Sequence, residues 1–508
     1  MVSSSARTIR LVAPAGSGKT RTVVSRVRRR IDAGVPPDRI LLLTFDRAAA
    51  ASLRGSLGAG PSVPLVSTLN AYGNALLRER VPEEHGRVLS RRERTEILAR
   101  VLERRGRDGG AVFAHTLDPS AWLGLLSRLK NEVFDPRARP GPRLTAFLER
   151  DPLGSAMVPR AEGARRIGSV VAVGRLYRGY DEDLRARGGM DFDDQKLRAL
   201  LALLRSDRLR REVQGQWSEV VVDEFQDINR LDFELVRILA ARSILVVAGD
   251  DDQAIYAFRG CSHVYLLELE ERLDRATVSY DLRRNYRSPP NILKAADRLI
   301  RRNRTRIPKR PIAHRTRRAV VTLSPRADPE AEAASLAEAI ERSGRPFADF
   351  AVLYRLHAQS LPLQLALMAR RIPFTVRRED DLGSEDGIGR LRALGADPDL
   401  VGRLEVARRS REGVPPECGV SLRTIFRAKG LQWPVVHLVG CNDGVMPHRR
   451  SAVEDERRLF YVAMTRASEA LHLSWIDAEE AGPPSRFLRE AGLAGPLGWR
   501  LRRRSQRV

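Results

Sequence analysis

Ala13-Pro14-Ala15-Gly16-Ser17-Gly18-Lys19-Thr20 is the stretch that decides the fold. Residues 7–12 before it form a short apolar run that reads as a strand. After it, Gly and Ser give way to helix-compatible residues in TRTVVSRV, 20–27. A strand, a small-residue loop and a helix in that order make a phosphate-binding loop. Small residues let backbone amides wrap a β-phosphate, so Ala15, Gly16, Ser17 and Gly18 are expected to cradle nucleotide, and the helix N-terminus adds a favourable field. Lys19 reaches the β/γ oxygens, and Thr20 offers a hydroxyl to Mg²⁺. The lysine is itself informative: only six of the 89 basic residues are Lys. A compact ammonium is wanted at this position rather than a planar guanidinium.

A second nucleotide element is VVVDEFQD, 220–227, an apolar strand ending in Asp223 and Glu224. Carboxylates at the carboxyl end of a strand suit a hydrated Mg²⁺ and a water nucleophile. Asp223 is expected to hold the metal through its water shell, and Glu224 to accept a proton from the water attacking a γ-phosphate. Further short apolar runs occur at 40–45, 244–248, 320–323, 351–354, 435–439 and 471–475, with helical pattern between many of them. The expectation is an α/β fold built on parallel sheets.

The 508 residues exceed one domain, and 43% hydrophobic content is enough to build real cores. That excludes a disordered basic tail. A formal net charge of +25 suits a protein that tracks a polyanion, nucleic acid first, with an arginine-favouring coding bias as the competing source of the charge. Cys261, Cys418 and Cys441 have no paired spacing, so neither a disulfide framework nor a zinc cluster is indicated, and a reducing cytoplasm fits. Nothing in the chain reads as a signal peptide or a membrane span.

Two stretches interrupt the strand–helix rhythm. Residues 79–190 are charged and helical without convincing strands, and read as an inserted helical domain. Residues 379–419 are polar and Gly-rich around one short helical pattern, 391–409, and read as a connector.

With these two elements stand VVAGDDDQAIYAFRG (246–260), LRRNYRS (282–288), TIFRAKGLQW (424–433) and ERRLFYVAMTRA (456–467), in that order. The set resembles the UvrD/Rep group of superfamily 1 DNA helicases over most of the chain. Weaker blocks have counterparts too: LLLTFDRAAA, VSTLNAYGNALLR, RLKNE, MDFDD, AVLYRLHAQS and SRFLRE. The resemblance implies two RecA-like P-loop NTPase domains with a helical, 1B-like insertion in the first. Residues 1–78 and 191–285 would form domain 1A, 79–190 domain 1B, and 286–378 with 420–508 domain 2A. The connector 379–419 would stand where larger relatives carry domain 2B, and about 40 residues seldom make a stable core alone.

The resemblance also assigns residues. Gln253 would sense the γ-phosphate. Arg287 and Arg466 would act on it as arginine fingers in cis, with nucleotide in a cleft between the RecA-like domains. Tyr286 matches an adenine-stacking tyrosine, Arg21 a residue near base and phosphates, and Gly430 and Gln432 fall in a nucleotide-contacting block. For single-stranded DNA it points to the rings of Phe45, Phe192, Tyr256 and Phe258 as stacking platforms tolerant of sequence. Core packing is the alternative for Phe45 and Phe192. Arg259, Arg355 and His357 match positions near DNA backbone or bases, and Thr68 a backbone contact.

Some positions depart from the family pattern. Only twelve residues precede Ala13, so the upstream glutamine motif that reads adenine is missing here. Base specificity is then relaxed, or left to Tyr286 and Arg21, unless the natural chain starts further upstream. Gln432 stands for a ribose-binding Glu, Phe426 and Asn70 each for a His, and Phe258 for a Trp.

The expected activity is an ATP- and Mg²⁺-dependent, 3′-to-5′ translocase on single-stranded DNA that unwinds duplex ahead of it and engages single-strand/duplex junctions in repair, replication restart or defence. The rivals are a DNA-stimulated ATPase that strips proteins without useful unwinding, a motor subunit serving a partner nuclease, and a non-catalytic DNA-binding scaffold.

Overall fold

The computed structural model describes residues 1–58, 63–107, 119–151, 154–155, 164–376 and 418–493, together with scattered positions between 381 and 405. It is a mixed α/β protein that divides into two compact units. One comprises Met1–Val12, Thr20–Gly249 and Tyr256–Tyr280; the other comprises Ala13–Lys19, Asp250–Ile255 and Asp281–Val508.

The first unit is built on a sheet of six strands: β1 (Thr8–Val12), β2 (Ile40–Thr44), β3 (Leu65–Thr68), β4 (Glu219–Val222), β5 (Ile244–Gly249) and β6 (Val278–Asp281), in spatial order β3-β2-β4-β5-β1-β6. The register runs Thr8↔Leu245 to Val12↔Gly249 in one pair and Ile40↔Glu219 to Leu43↔Val222 in another, both parallel. β2 and β4 are buried at every position, as parallel strands covered on both faces must be. Glu219 starts β4 fully buried and is therefore paired: the Arg26 guanidinium grips it with two bonds, 2.6 and 3.1 Å. This fastens the helix Lys19–Asp32 to the sheet.

Helices Arg91–Arg107, Pro119–Asn131, Pro142–Arg150 and Ala164–Ala186 fill the stretch between β3 and β4. They close on an apolar cluster of their own, including Ile97, Trp122, Leu125, Val173 and Tyr180. The expectation of a strandless stretch needs one correction: Arg87–Val88 pairs in parallel with Gly189–Met190. At only two residues it carries no periodicity to read. Lys130, fully buried, bonds Asp191 and Asp194 at 2.7 Å each.

The second unit carries β7 (Val320–Arg326), β8 (Phe350–Tyr354), β9 (Phe374–Thr375), β10 (Val420–Thr424), β11 (Trp433–Leu438) and β12 (Ala467–Ile476), in order β7-β12-β11-β8-β10-β9. Its strand pairs are again parallel. Ile340, Leu363, Leu367, Phe374 and Leu422 share one core cluster, which also takes in Ile388 and Val401. Those two belong to the connector 379–419, most of which, including much of the helical pattern 391–409, lies outside the described residues.

Candidate functional site

In the second unit the phosphate loop is held by backbone geometry and by one carboxylate. Gly16 and Gly18 have φ of +73° and +86°, the region where only glycine is unstrained. A Cβ on Gly16 would also sit 2.5 Å from the Cβ of Arg287, so the position is closed to side chains. The Tyr286 amide donates to Gly16 O at 2.8 Å, and Asn285 Nδ2 donates to Ala15 O. Ala15 N donates to Asp250 Oδ2 at 3.1 Å; that same oxygen accepts from Gln253 Nε2 at 2.6 Å. Asp250 thus ties the loop to the residue expected to sense a γ-phosphate. Among the described residues, the Ser17 hydroxyl is buried with no partner. An orphaned donor at the centre of a phosphate loop is what a bound oxyanion would satisfy.

Gln253 is held from three sides. Lys429 Nζ donates to its backbone oxygen at 2.7 Å, and Arg466 Nη2 lies 3.4 Å from its Oε1. Arg466 is fully buried and also bonds the Val462 and Leu431 carbonyls. Arg287 Nε donates to Gln432 Oε1 at 2.8 Å, so the residue that replaces the family's Glu grips the other arginine. Tyr286 is half exposed, its ring 4.8 Å from that of His314. Gly430 takes a positive φ, +83°, in the turn before β11.

Behind Gln253 lies a charge cluster that sequence reasoning misses. Lys309, buried, reaches Asp250 at 2.7 Å, Asp252 at 2.9 Å and Asp251. Arg306 grips Asp252 with two bonds, 2.9 and 2.7 Å, and Ile307 N donates to Asp251. Burial works against the ammonium, but the three carboxylates outweigh it and hold Lys309 above the ordinary lysine range. Burial pushes the Asp251 carboxyl up, whereas Lys309 and Arg306 overcome burial at Asp252 and hold it down. A signal for it exists in the composition: Lys309 is one of six lysines in an arginine-dominated chain.

Thr20, Asp223 and Glu224 belong to the first unit. Asp223 is buried at the end of β4, its Oδ1 accepting from Glu224 N at 2.9 Å. Glu224 adopts φ +55°, ψ +40°, a left-handed conformation unusual for a side-chain-bearing residue. Such strain persists where surrounding structure enforces it. Glu224 Oε2 accepts from Gln226 Nε2. Arg21 is exposed on the first turn of the helix Lys19–Asp32.

The same unit gathers the expected stacking rings. Phe45, Thr68, Phe192, Phe258 and Arg259 line one groove of about 880 Å³. Tyr256 stacks on Phe45 at 5.1 Å and 14° and tilts against Phe258 at 6.2 Å; the Arg259 guanidinium covers both tyrosine and phenylalanine. Phe192 is 53% and Phe258 58% exposed, so neither is core, while Phe45 is half-buried in the stack. The Thr68 hydroxyl caps the helix Leu69–Arg80 by accepting from Ala71 N. Asn70 Nδ2 donates to Phe192 O at 2.7 Å, so the residue standing for a histidine fixes the backbone of an expected platform ring. The groove also contains Asn131, Asp193 and Asn229, a hydrogen-bonded set joining the RLKNE and MDFDD blocks.

Arg355 and His357 lie in the second unit. Arg355 is committed internally, paired with Glu456 at 2.9 Å and laid over Phe426; His357 is exposed.

Two parallel sheets, the first followed by a phosphate loop and an Asp-Glu pair, define a P-loop protein with two RecA-like domains. The UvrD/REP helicase N-terminal domain matches residues 1–274, and the UvrD-like helicase C-terminal domain matches 280–383 and 403–478. The chain belongs to the UvrD/REP helicase family. It is 30% identical to the ATP-dependent DNA helicase UvrD2 of Mycobacterium tuberculosis, over 94% of this chain and 78% of that protein. Against the ATP-dependent DNA helicase PcrA of Staphylococcus epidermidis it is 25% identical, over 94% and 84%. Among the described residues, no helix is long and apolar enough to cross a membrane.

Proposed function

We propose that this chain is a cytoplasmic, ATP- and Mg²⁺-dependent motor that runs 3′ to 5′ along single-stranded DNA and separates duplex ahead of it. The observation that carries the reading is the joint hold of Asp250, Lys429 and Arg466 on Gln253 beside the phosphate loop. The loop residues fit a nucleoside triphosphate, because two left-handed glycines and the partnerless buried Ser17 hydroxyl leave donors for phosphate oxygens. Ala15 to Lys19 would hold the phosphates, Tyr286, Arg21, Gly430 and Gln432 the nucleoside side, and Thr20 with Asp223 the cation. Bound there, the cation supplies neutralisation of phosphate charge. Glu224 takes the proton of the attacking water at its carboxylate, Gln253 senses the γ-phosphate, and Arg287 and Arg466 stabilise the developing charge with guanidinium forks. DNA stacks on Phe45, Phe192, Tyr256 and Phe258, with Thr68, Arg259, Arg355 and His357 toward the backbone.

In this reading 1–78 with 191–285 form domain 1A, 79–190 domain 1B, and 286–378 with 420–508 domain 2A. The C-terminal family match resumes at 403 after stopping at 383, within the connector that stands in place of domain 2B. That gap supports a second reading in which strand separation needs a partner protein, such as a nuclease or a repair or defence factor. An ATPase assay with and without oligo-dT tests the motor, and unwinding of duplexes tailed at only one end tests polarity. Equal unwinding from 5′ tails would refute the direction. Robust single-turnover unwinding of a long duplex by a monomer would refute the need for a partner.

A further inference from the structure

In the second unit, the helix Pro329–Arg342 and one face of β7, β12 and β11 enclose a cavity of about 400 Å³, within the roughly 300–1,000 Å³ of small-molecule sites. A parallel sheet face under a helix is ordinarily apolar. Here a polar row crosses it: Thr322, His472 and His437 are register partners on β7, β12 and β11, and Ser324 partners Ser474 two residues further on. From the helix come Ser335 and Ala339, side chains too small to fill the space. β7 is the edge strand, and its Val320 and Thr322 are exposed, so the cavity opens there.

The rings of His437 and His472 stack at 4.6 Å and 27°, and Phe350 extends the stack 6.3 Å from His437. The stack stops at β7, where the register partner is Thr322, whose Oγ1 bonds His472 Nδ1 at 2.7 Å. His437 is 9% exposed, and among the described residues its ring nitrogens have no hydrogen-bond partner. A buried polar ring without a partner is costly, and a ligand that brings a matching donor or acceptor removes the cost. Burial pushes the His437 pKa down to about 3, so one ring nitrogen donates and the other accepts.

Charges at the walls are already offset. Glu332 accepts from Gly440 N at 3.0 Å and lies in the field of Arg326, and Arg345 pairs with Asp349 at 3.1 Å and Glu469 at 2.8 Å. The rings do not suit a metal either: stacked imidazoles aim their in-plane lone pairs side by side rather than at one point. Among the described residues, no group of three His, Cys, Asp or Glu side chains could hold a metal ion.

We propose that this cavity binds a nucleoside, its uncharged flat base continuing the stack of Phe350, His437 and His472 above Thr322 and its polar substituents reaching His437 and the Ser335 hydroxyl. Stacking supplies contact without charge, and in-plane donors and acceptors select the heterocycle. The cavity shares no residue with the nucleotide and DNA positions named above, so the inference stands independently of the motor reading.

Saturation-transfer NMR on the full chain reads binding of cytidine, uridine and adenosine, with the nucleotide site filled by a non-hydrolysable ATP analogue. Ligands of roughly 17–19 non-hydrogen atoms should bind with Kd on the order of 0.1 mM. His437→Phe keeps the stack but removes the unpartnered nitrogens, and should raise Kd roughly 2- to 12-fold. Ser335→Leu fills the cavity from the helix and should abolish binding. In the parent the His437 and His472 ring nitrogen resonances should shift on addition of nucleoside, a readout that needs no variant to fold. Absence of binding by the parent at millimolar concentration overturns the site, as do ring resonances that stay still, an unchanged Kd in His437→Phe or undiminished binding by Ser335→Leu. Binding confined to adenosine and removed by the ATP analogue belongs to the nucleotide site, and the cavity assignment then falls.

Discussion

Lys309→Met removes one ammonium from among three buried carboxylates and leaves Arg306 to face them. Methionine matches the length of the stem but provides no donor. Breaking a buried ion pair from one side costs about 3–5 kcal/mol. At roughly 2–4 °C per kcal/mol for a unit of this size, the melting temperature should fall by roughly 6–20 °C. Lys309 is held above its ordinary pKa of 10.5, so its contribution is complete below that value and is lost only as pH climbs through the raised folded pKa. The deficit should therefore stay constant between roughly pH 6 and 9. Turnover should suffer separately. Asp250 aligns Ala15 N and Gln253 Nε2, and misplacing a catalytic group by about 1 Å costs about 100-fold. We expect kcat of DNA-stimulated hydrolysis to drop roughly 10- to 100-fold, with KM for ATP changed far less. The pair Lys309→Met with Asp251→Asn restores the net charge of the cluster and should recover most of the lost melting temperature without recovering kcat. Calorimetry and a coupled ATPase assay read both quantities. A Lys309→Met protein that melts within about 2 °C of the parent and turns over at the parental rate would refute the reasoning.

Lys19→Ala should abolish hydrolysis by losing phosphate binding, whereas Glu224→Gln should still bind nucleotide but not turn it over; near-parental turnover by Glu224→Gln with DNA present would remove it as the base. Phe192→Ala with Phe258→Ala strips the two most exposed platform rings and should weaken oligo-dT binding by roughly 2–6 kcal/mol, at least about 30-fold, and equal affinity would show that the rings do not stack bases. Burial and the stacked His472 hold His437 down to about 3, so only the unfolded chain takes up its proton between about 6.5 and 3, and stability falls with pH through that window. From pH 7 to 5 the loss is about 2 kcal/mol by denaturant titration, and a His437→Gln protein with the same pH dependence as the parent would rule this histidine out.

The strands that the sequence shows plainly are those that are apolar because both faces are covered: β1, β2, β4, β5 and β8 all coincide with apolar runs. Of the ones it hides, β10 is interior and buried, but its text VSLRT is broken by Ser421 and Arg423; the others lie at edges or are very short. β3 is LVST with Leu65 exposed, β6 is VSYD and almost wholly exposed, and β9 has two residues. None has enough periodic apolar text to stand out from a loop. β12 begins at Ala467, four residues before its apolar core, because its first residues are polar and its partners, not its composition, extend it. The same distinction governs the site. The loop 13–20 and the cluster 250–253 are contiguous and could be recognised as units. The partners that fix them, Lys309 and Arg306 for the aspartates and Glu456 for Arg355, lie about 55 and 100 residues away, and only folding brings them in.

The lysines show how the basic excess is divided. Lys294 is exposed on the helix Pro290–Ile300. The other five are placed where a guanidinium fits poorly. Lys19 starts the helix behind the phosphate loop, and Lys130 and Lys309 each sit inside a cage of two or three carboxylates. Lys196 is buried on Asp232 at 2.6 Å, and Lys429 donates to the backbone of Gln253. An ammonium offers three donors around one point and can satisfy several acceptors converging in a small volume, while a planar fork needs its acceptors in one plane. A coding preference for arginine would fill exposed positions indifferently. It does not account for lysine surviving at the packed, multi-acceptor positions. There the geometry of the acceptors selects the ammonium, which makes a lysine in this chain a marker of a converging polar site before any coordinates are known.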